Sequence, residues 1–315
     1  MNKEQLRRVA KFVDRYRVTR GKGFRLADVD PADTAGFKSE DKAEARDMLA
    51  LGVQWLAEQQ DMLYAQDHWA LLLVFQAMDA AGKDGTIAHV MSGVNPQGCQ
   101  VTSFKAPSSE ELSHTFLWRT TKVLPARGMI GIFNRSYYEE VLVVRAHPEI
   151  LDKQKLPPKL VGKSIWKERF EDIRAFEKYQ ARNGTVILKF FLHVSKQKQA
   201  ERFLERIDDP AKNWKFNMGD VVERKLWDDY MGYYEDMIRE TSRAYAPWFV
   251  VPADKKWFTR LVVASALVDA LESLDLHYPK VDDATRAELK EARVLLAADV
   301  PEKKNNNKKG NGKRD

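Results

Sequence analysis

The chain has 315 residues, of which 44% are hydrophobic and 31% are charged, a balance that permits a full hydrophobic core and argues against an intrinsically disordered chain. No apolar run reaches the roughly 18 residues needed to span a bilayer, and residues 1–20 lack the apolar segment of a secretory signal. Cys99 is the single cysteine, so an intramolecular disulfide bond is excluded, and these features together predict a cytoplasmic protein without membrane contact.

The net charge of +6 is concentrated at one end of the chain. Residues 303–315 hold six basic residues and one acidic residue, so this tail contributes +5 and leaves the rest of the chain near +1. The tail is rich in Lys, Asn and Gly, a composition typical of disordered segments. The sequence therefore predicts a disordered basic tail at 301–315 and no nucleic-acid partner.

After an N-terminal arm at 1–39, the predicted elements alternate between strands and helices. A helix at 40–66 precedes the apolar strand 71–75, a loop of small residues at 79–85 and a helix from residue 86. Further strands are predicted at 100–104, 129–133, 185–194 and 248–252. Further helices are predicted at 108–122, 164–181, 196–207, 220–244, 254–276 and 282–297. This alternation predicts an α/β domain at 40–300, with a mainly parallel sheet of about five strands flanked by helices.

The loop after the first strand has the character of a phosphate-binding loop. Residues 77–84 read AMDAAGKD, which departs at two positions from the pattern G-x-x-x-x-G-K-[S/T]: Ala77 replaces the first Gly and Asp84 replaces Ser/Thr. Small residues let backbone N–H groups approach phosphate oxygens, and Lys83 supplies a point charge. Because the usual hydroxyl ligand of Mg²⁺ is missing, Asp79 is the carboxylate placed to replace it. An ordinary strand-to-helix turn is the alternative interpretation.

A second candidate phosphate-binding segment lies near residue 210. Four basic residues cluster within fourteen positions: Arg202, Arg206, Lys212 and Lys215. Pro210, which follows two aspartates, is expected to break the helix there. A basic segment beside a helix break predicts a lid at about 206–245 that closes on phosphates, with a solvated helix end as the alternative.

Several stretches, in order along the chain, resemble the polyphosphate kinase type 2 family. The first is MDAAGKDGTI at 78–87, and the second is SGVNPQG at 92–98, followed by SFK at 103–105 and WR at 118–119. The third is FNRSYYE at 133–139, and the fourth is RIDDP at 206–210, followed by KNWK at 212–215. A softer match is APW at 246–248 with DKK at 254–256. The resemblance covers roughly residues 40–276.

This resemblance implies a P-loop kinase core with a helical lid, and Mg²⁺-dependent, reversible phosphoryl transfer between inorganic polyphosphate and a nucleotide. Carried over by position, Asp79 binds Mg²⁺ and organises the attack, and Lys83 binds the transferring phosphate. Arg135 and Arg206 clamp phosphates, which completes the predicted catalytic set. Family members are commonly homo-oligomeric, so a dimer or tetramer is expected by analogy.

The predicted site extends beyond this catalytic set. Phosphate binding is predicted for Gly82, Lys83, Asp84, Gly85, Thr86, Arg135, Arg202, Arg206, Lys212 and Lys215. Nucleotide binding is predicted for Asn134 and Glu139. Glu139 and Glu140 are also candidates for metal binding, with solvated or capping roles left open. Trp214 and Trp248 are interpreted as packing residues rather than base-stacking ones.

Two positions carry information on the nucleotide acceptor. Family members restricted to nucleoside diphosphates usually have Asp before the arginine of the third stretch and a Gly-Lys-Gly-Gly loop, whereas this chain has Asn134 and Gly-Lys-Asp-Gly. The resemblance therefore implies the subclass that accepts both AMP and ADP and forms ADP and ATP, with GMP and GDP as further candidates. An ATP-dependent nucleotide or small-molecule kinase on the same scaffold is the rival enzyme, and a non-catalytic polyanion-binding protein is the rival from another class.

Overall fold

A computed structural model describes residues 1–38 and 40–300 of the chain. The chain divides into two compact units, of which the first is Met1–His277 and the second begins at Tyr278. The disordered tail predicted at 301–315 lies outside the described residues, so that prediction stays untested. None of the helices in the described ranges combines the length and apolar character that a bilayer crossing requires.

A six-stranded sheet forms the centre of the first unit. Its strands are β1 (Arg17–Val18), β2 (Ala70–Gln76), β3 (Cys99–Ser103), β4 (Ile130–Asn134), β5 (Thr185–His193) and β6 (Trp248–Pro252). Their order is β1-β6-β5-β2-β4-β3, and every neighbouring pair is parallel except β1 with β6. The carboxyl end of β2 therefore lies between those of β4 and β5, at the kind of position where open parallel sheets form a ligand crevice.

Helices connect the strands and cover the sheet. They are α1 (Lys3–Val13), α2 (Lys42–Gln66), α3 (Lys83–Val90), α4 (Ser109–Leu112), α5 (Trp118–Thr121), α6 (Val143–Ala146), α7 (Pro148–Asp152), α8 (Ile165–Arg182), α9 (Lys196–Asp208), α10 (Met218–Glu223), α11 (Trp227–Thr241), α12 (Lys256–Glu272) and α13 (Asp283–Ala297). In the first unit, α12 packs against α1, α2 and α3, and α8 packs against β5 and α11. The second unit contains α13, whose N-cap Asp282 accepts a hydrogen bond from the backbone N–H of Thr285.

The apolar runs of the sequence form strands because both faces of the sheet are covered. Every residue of β2 is buried, as expected for a central parallel strand that has no solvent-facing side. Phe75, Phe190 and Phe249 are direct neighbours in the register of β2, β5 and β6. Their rings stack with centroids 4.9 and 5.3 Å apart, which ties the three strands together.

The α/β class and the mainly parallel sheet are confirmed, with differences in detail. The sixth strand is the two-residue β1. Through it, the N-terminal arm predicted at 1–39 contributes an antiparallel edge strand to the sheet. The helix predicted at 108–122 is broken into α4 and α5, and the Ser113 hydroxyl bonds back to the carbonyl of Ser109 where α4 ends. The lid predicted at 206–245 includes α11, which buries Trp227, Tyr234 and other side chains, and the bounds of the lid stay a prediction.

Candidate active site

The loop after β2 adopts a conformation that depends on one glycine. Gly82 has φ +106° and serves as the N-cap of α3, and its carbonyl accepts the N–H of Thr86 at 3.0 Å. Glycine reaches this left-handed conformation without the steric penalty of a Cβ atom. The Lys83 ammonium donates to the carbonyl of Ala77 at 2.8 Å and so spans the mouth of the loop. The predicted strand, loop and helix are thus confirmed in this order.

Helix α9 supports the loop through side chains that donate hydrogen bonds to the carbonyl groups of the loop. Gln199 donates to the Asp79 carbonyl at 2.9 Å. Arg202, which is 5% exposed, donates through Nη1 to the carbonyls of Ala80 and Ala81 at 3.1 and 2.7 Å. Its Nη2 donates to the two carbonyls that follow β6, at 2.6 and 3.1 Å. This geometry gives Arg202 a loop-supporting role, and its predicted phosphate contact stays a prediction.

Arg135 and Asp79 meet where β4 and β2 end. Arg135 has φ +62°, and its N–H donates to the Phe75 carbonyl at 3.0 Å, which fixes the turn after β4 against β2. Its Nη2 donates to Asp79 Oδ1 at 2.7 Å, and its Nη1 lies 4.0 Å from Glu139 Oε2. Burial alone would lower the pKa of Arg135, but Glu139 and Asp79 outweigh that effect and hold its pKa above the ordinary value. The guanidinium therefore stays charged at the base of the cleft.

A cavity of about 270 Å³ beside Asp79 gathers carboxylates. Besides Asp79, it is lined by Glu139, Asp220 and Glu223. Burial raises the pKa of Glu139, although Arg135 opposes the rise, and burial together with the charge of Asp79 raises the pKa of Asp220. These carboxylates favour a cation in the cavity.

The pKa of Lys83 shifts downward, whereas the pKa values of Glu139 and Asp220 shift upward. Burial lowers the pKa of Lys83, and the charge of Asp79 opposes that change. Among the described residues, no group of three or more His, Cys, Asp or Glu side chains is arranged to hold a metal ion.

A cleft of about 670 Å³ opens at the loop and brings the predicted phosphate-binding residues together. All ten line it: Gly82, Lys83, Asp84, Gly85, Thr86, Arg135, Arg202, Arg206, Lys212 and Lys215. Asp79 and Asn134 line it as well, and Asn134 donates to Asp84 Oδ1 at 2.6 Å. The cleft also contains three cations that the sequence prediction missed: Lys105, Lys256 and Arg260.

The basic segment near residue 210 forms one side of this cleft. Arg206 Nη1 lies 3.8 Å from Asp220 Oδ2, and the Lys212 ammonium lies 2.7 Å from Asp209 Oδ2. Trp214 is 78% exposed, so its predicted packing role is wrong, whereas Trp248 is fully buried and its packing role is confirmed. The exposed Trp214 lies under the Lys215 ammonium, 4.9 Å from the ring centroid.

A smaller and more apolar cavity, of about 160 Å³, adjoins the cleft at Phe104 and Arg135. Its walls include Leu112, Phe116 and Val143, and Glu139 also lines it. The predicted nucleotide residue Glu139 thus borders both the acidic and the apolar cavity.

Arg119 and Glu140 support the walls of the apolar cavity. Arg119 donates to the Lys105 carbonyl at 2.8 Å, with its guanidinium 5.2 Å from the ring centroid of Phe104. Glu140 is buried and accepts from Arg169 Nε at 2.9 Å. This pairing gives Glu140 a structural role.

A buried polar network lies behind the Arg135 turn. The Tyr137 and Tyr138 hydroxyls donate to Glu177 Oε1 at 2.9 and 2.7 Å, and Lys189 Nζ donates to Glu177 Oε2 at 2.7 Å. Lys189 also donates to the Thr241 carbonyl at 2.8 Å. Burial lowers the pKa of Lys189 to about 8 although Glu177 opposes the change. The network joins the turn that carries Arg135 to α8, β5 and α11. The sequence analysis did not identify Glu177 or Lys189, because no local pattern distinguishes them.

Comparisons with known proteins agree along most of the chain. The family model for polyphosphate kinase 2 matches residues 38–279. The chain is 50% identical over 282 residues to ADP-polyphosphate phosphotransferase of Rhodopseudomonas palustris, covering 87% of this chain and 98% of that protein. It is 46% identical over 271 residues to AMP/ADP-polyphosphate phosphotransferase of Meiothermus ruber, covering 86% and 97%.

Solved structures give the same result. The crystal structure of polyphosphate kinase 2 from Arthrobacter aurescens TC1 is similar with a TM-score of 0.80 and 44% sequence identity. The similarity covers 88% of this chain and 96% of that one. The range matched by the family model contains every residue of the cleft and of the two adjoining cavities.

Proposed function

The chain belongs to the polyphosphate kinase 2 family, and from this membership we propose that it transfers the terminal phosphoryl group of inorganic polyphosphate to AMP and ADP. An oxygen of the acceptor's terminal phosphate attacks the terminal phosphorus of polyphosphate, and the P–O bond to the next phosphate breaks. The nucleotide gains one phosphoryl group and polyphosphate loses one. The reverse transfer uses the same groups, because one phosphoanhydride bond replaces another.

The observation that carries this proposal is the convergence of cations on the P-loop cleft. Polyphosphate has about one negative charge per internal phosphate and no base, so it needs repeated cations rather than a shaped pocket. The backbone N–H groups of 82–86 and the Lys83 ammonium bind the terminal phosphates. Arg206, Lys212 and Lys215 bind phosphates further along the chain, since all three line the same cleft.

The acceptor nucleotide lies at the other end of the cleft. We place its base in the apolar cavity between Phe104 and Phe116, where an aromatic ring system finds apolar contacts. Its phosphates then reach Arg135, which lines both that cavity and the cleft and so brings acceptor and donor together. Asn134 and Glu139 border the path of the nucleotide and position it.

Phosphoryl transfer depends mainly on positioning and on neutralising charge on the phosphate oxygens. Bound Mg²⁺ would supply positive charge to oxygens of both substrates. Asp79 is the residue that would hold it, because it lines both the cleft and the acidic cavity. Arg135 contacts Asp79 directly and provides a fixed positive charge at the same place. A homo-oligomeric state and a cytoplasmic location remain predictions.

The acceptor range is proposed to include both AMP and ADP, with GMP and GDP as further candidates. The printed names of the two relatives differ here: ADP for the R. palustris protein and AMP or ADP for the M. ruber protein. Asn134 binds Asp84, the residue that replaces the P-loop hydroxyl, so the two positions that mark the subclass form one contact.

The test is ATP formation from ADP, and separately from AMP, with long-chain polyphosphate and Mg²⁺. Lys83→Ala and Asp79→Ala should each lower kcat by about 10²–10³-fold, the usual effect of removing a charge-stabilising group. Lys11→Ala and Asp47→Ala, both at exposed positions away from the cleft, are the matched controls. ATP from ADP alone would refute the AMP assignment. Transfer that requires ATP as donor and ignores polyphosphate would establish the rival ATP-dependent kinase.

A further inference from the structure

A second basic cavity, of about 360 Å³, adjoins the phosphate cleft. Four residues line both: Arg202, Glu205, Lys256 and Arg260. Beyond these shared residues, the second cavity reaches the beginning of α2, where Lys42 and Arg46 are exposed one turn apart. The two cavities therefore meet at these four residues, between the P-loop and α2.

The lining of the second cavity has more positive than negative charge. Six basic side chains line it: Lys42, Arg46, Lys198, Arg202, Lys256 and Arg260. Its two carboxylates are Glu205 and Asp254, and Asp254 already accepts two hydrogen bonds from Ser195 at 2.8 Å.

Two of the six cations have partners within the protein. Lys198 pairs with Glu201, and Arg202 binds the carbonyls described above. Within residues 1–38 and 40–300, the other four form no ion pair: Lys42, Arg46, Lys256 and Arg260. An excess of unpaired cations around one concave surface favours an anionic ligand.

Arg260 also has a donor group that lacks a partner. Its Nε is buried and has no hydrogen-bond partner among the described residues. Its Nη2 lies 3.9 Å from the position that a Cβ atom would take at Gly85, in the first turn of α3. Burial lowers the pKa of Lys256, and the charges of Arg202 and Arg260 lower it further. A bound anion would relieve this crowding and satisfy the buried N–H group.

We propose that the polyphosphate chain runs from the P-loop cleft past Lys256 and Arg260 into the second cavity, where Lys42 and Arg46 bind phosphates far from the reacting end. This inference rests on the proposed function and extends its donor site. A linear polyanion matches two joined cavities lined by cations, whereas a nucleotide needs a free apolar surface for its base. The aromatic side chain of the second cavity, Trp257, is engaged in edge contacts with Phe37 and Phe258.

The expected signature is a dependence on donor length. A tetraphosphate occupies the P-loop cleft alone, while a long chain also reaches α2. The double variant Lys42→Gln, Arg46→Gln should raise KM and Kd for long-chain polyphosphate about five- to tenfold and leave both values for tetraphosphate unchanged. The association constant falls with salt concentration, and each lost phosphate contact reduces the steepness of log association constant against log salt by about 0.7–0.9. Because two contacts are lost, the steepness for the long chain should fall by about 1.5.

The matched control is Arg7→Gln, Lys11→Gln on α1. These exposed residues are also one helical turn apart, carry the same total charge, and line neither cavity. Calorimetric titration of the full chain with each phosphate, beside the transfer assay, gives both constants. The control should behave as wild type.

Three results would overturn the inference: unchanged long-chain constants, equal weakening for tetraphosphate and the long chain, or weakened nucleotide binding instead. Failure of the proposed function itself looks different, because wild type would then transfer no phosphoryl group from polyphosphate of either length. In that case the titrations still decide whether Lys42 and Arg46 bind a long polyanion.

Discussion

Replacing Arg202 by lysine separates two roles for this side chain, support of the P-loop and direct binding of phosphate. The guanidinium is almost fully buried and donates four hydrogen bonds of 2.6 to 3.1 Å. Two of them hold the P-loop carbonyls of Ala80 and Ala81, and two hold the carbonyls that follow β6. A lysine ammonium keeps the charge but lacks the planar fork that reaches both segments at once.

The magnitude follows from the number of bonds lost. A hydrogen bond from a charged donor contributes about 1.5–3 kcal/mol, and an ammonium at this depth retains one or two of the four. Two or three lost bonds at this value correspond to about 3–9 kcal/mol, so we expect Arg202→Lys to lower the free energy of unfolding by at least about 3 kcal/mol. It should also lower kcat with polyphosphate, because the loop that carries Lys83 loses its support from α9.

The assay compares urea unfolding and steady-state kinetics of Arg202→Lys with those of Arg206→Lys. Arg206 lines the same cleft, is partly exposed and lies 3.8 Å from Asp220. Because lysine keeps the charge of this pair, the replacement should change stability by less than about 1 kcal/mol and raise KM for polyphosphate. If Arg202→Lys unfolds like wild type and raises KM as much as Arg206→Lys does, Arg202 is a phosphate ligand and the loop-support argument is refuted.

Three further substitutions have defined outcomes. Lys189→Met leaves the fully buried carboxylate of Glu177 without its cation and should lower stability in urea by about 3–5 kcal/mol, part of which Glu177→Gln in the same chain should restore. Burial lowers the pKa of His193 to about 4 from 6.5. Between these two pH values the imidazole is protonated in the unfolded chain and neutral in the folded protein. Stability should then fall from pH 6.5 toward pH 4 by about 1.4 kcal/mol per unit, and His193→Gln should flatten this slope in unfolding scans. Gly82→Ala forces an L-residue to φ +106° and should lower the thermal unfolding free energy by about 1–2 kcal/mol together with polyphosphate-dependent transfer.

Controls at exposed or open positions accompany these variants. Lys178→Met lies on the surface of α8, His68→Gln is an exposed histidine, and Gly162 has open space around its Cα. Wild-type stability in Lys189→Met, an unchanged acid slope in His193→Gln, or full activity in Gly82→Ala would each contradict its own prediction.

Local sequence was sufficient for the strands and for the loop between β2 and α3. The strand predicted at 248–252 coincides with Trp248–Pro252, and the one at 71–75 is longer by a single residue at each end. These strands are short apolar runs bounded by turn residues, so their pattern is complete within a few positions. β1 could not be predicted, because two residues have no period and the pairing depends on β6.

The positions of the candidate site residues could be predicted where those residues lie in one short segment. Asp79, Lys83 and Arg135 come from short stretches, and the structure places them at one edge of the sheet. Gln199 was missed because a glutamine on an amphipathic helix looks solvated, while its partner carbonyl at Asp79 belongs to a different element of the fold. Arg260 was missed because it is one cation on a helix whose neighbours are apolar, and only packing brings it beside α3.

The antiparallel edge strand has a consequence for how the protein is made. Arg17 pairs with Phe249, more than two hundred residues later in the chain, and α1 packs against α12, which follows later still. At about 5–20 residues per second, the first residues leave the ribosome roughly 10–50 s before their partners do. Closing so long a loop is slow compared with local contacts. We therefore expect the amphipathic α1 to spend this interval as a nascent chain that chaperones bind, and to join the fold in one of its last steps.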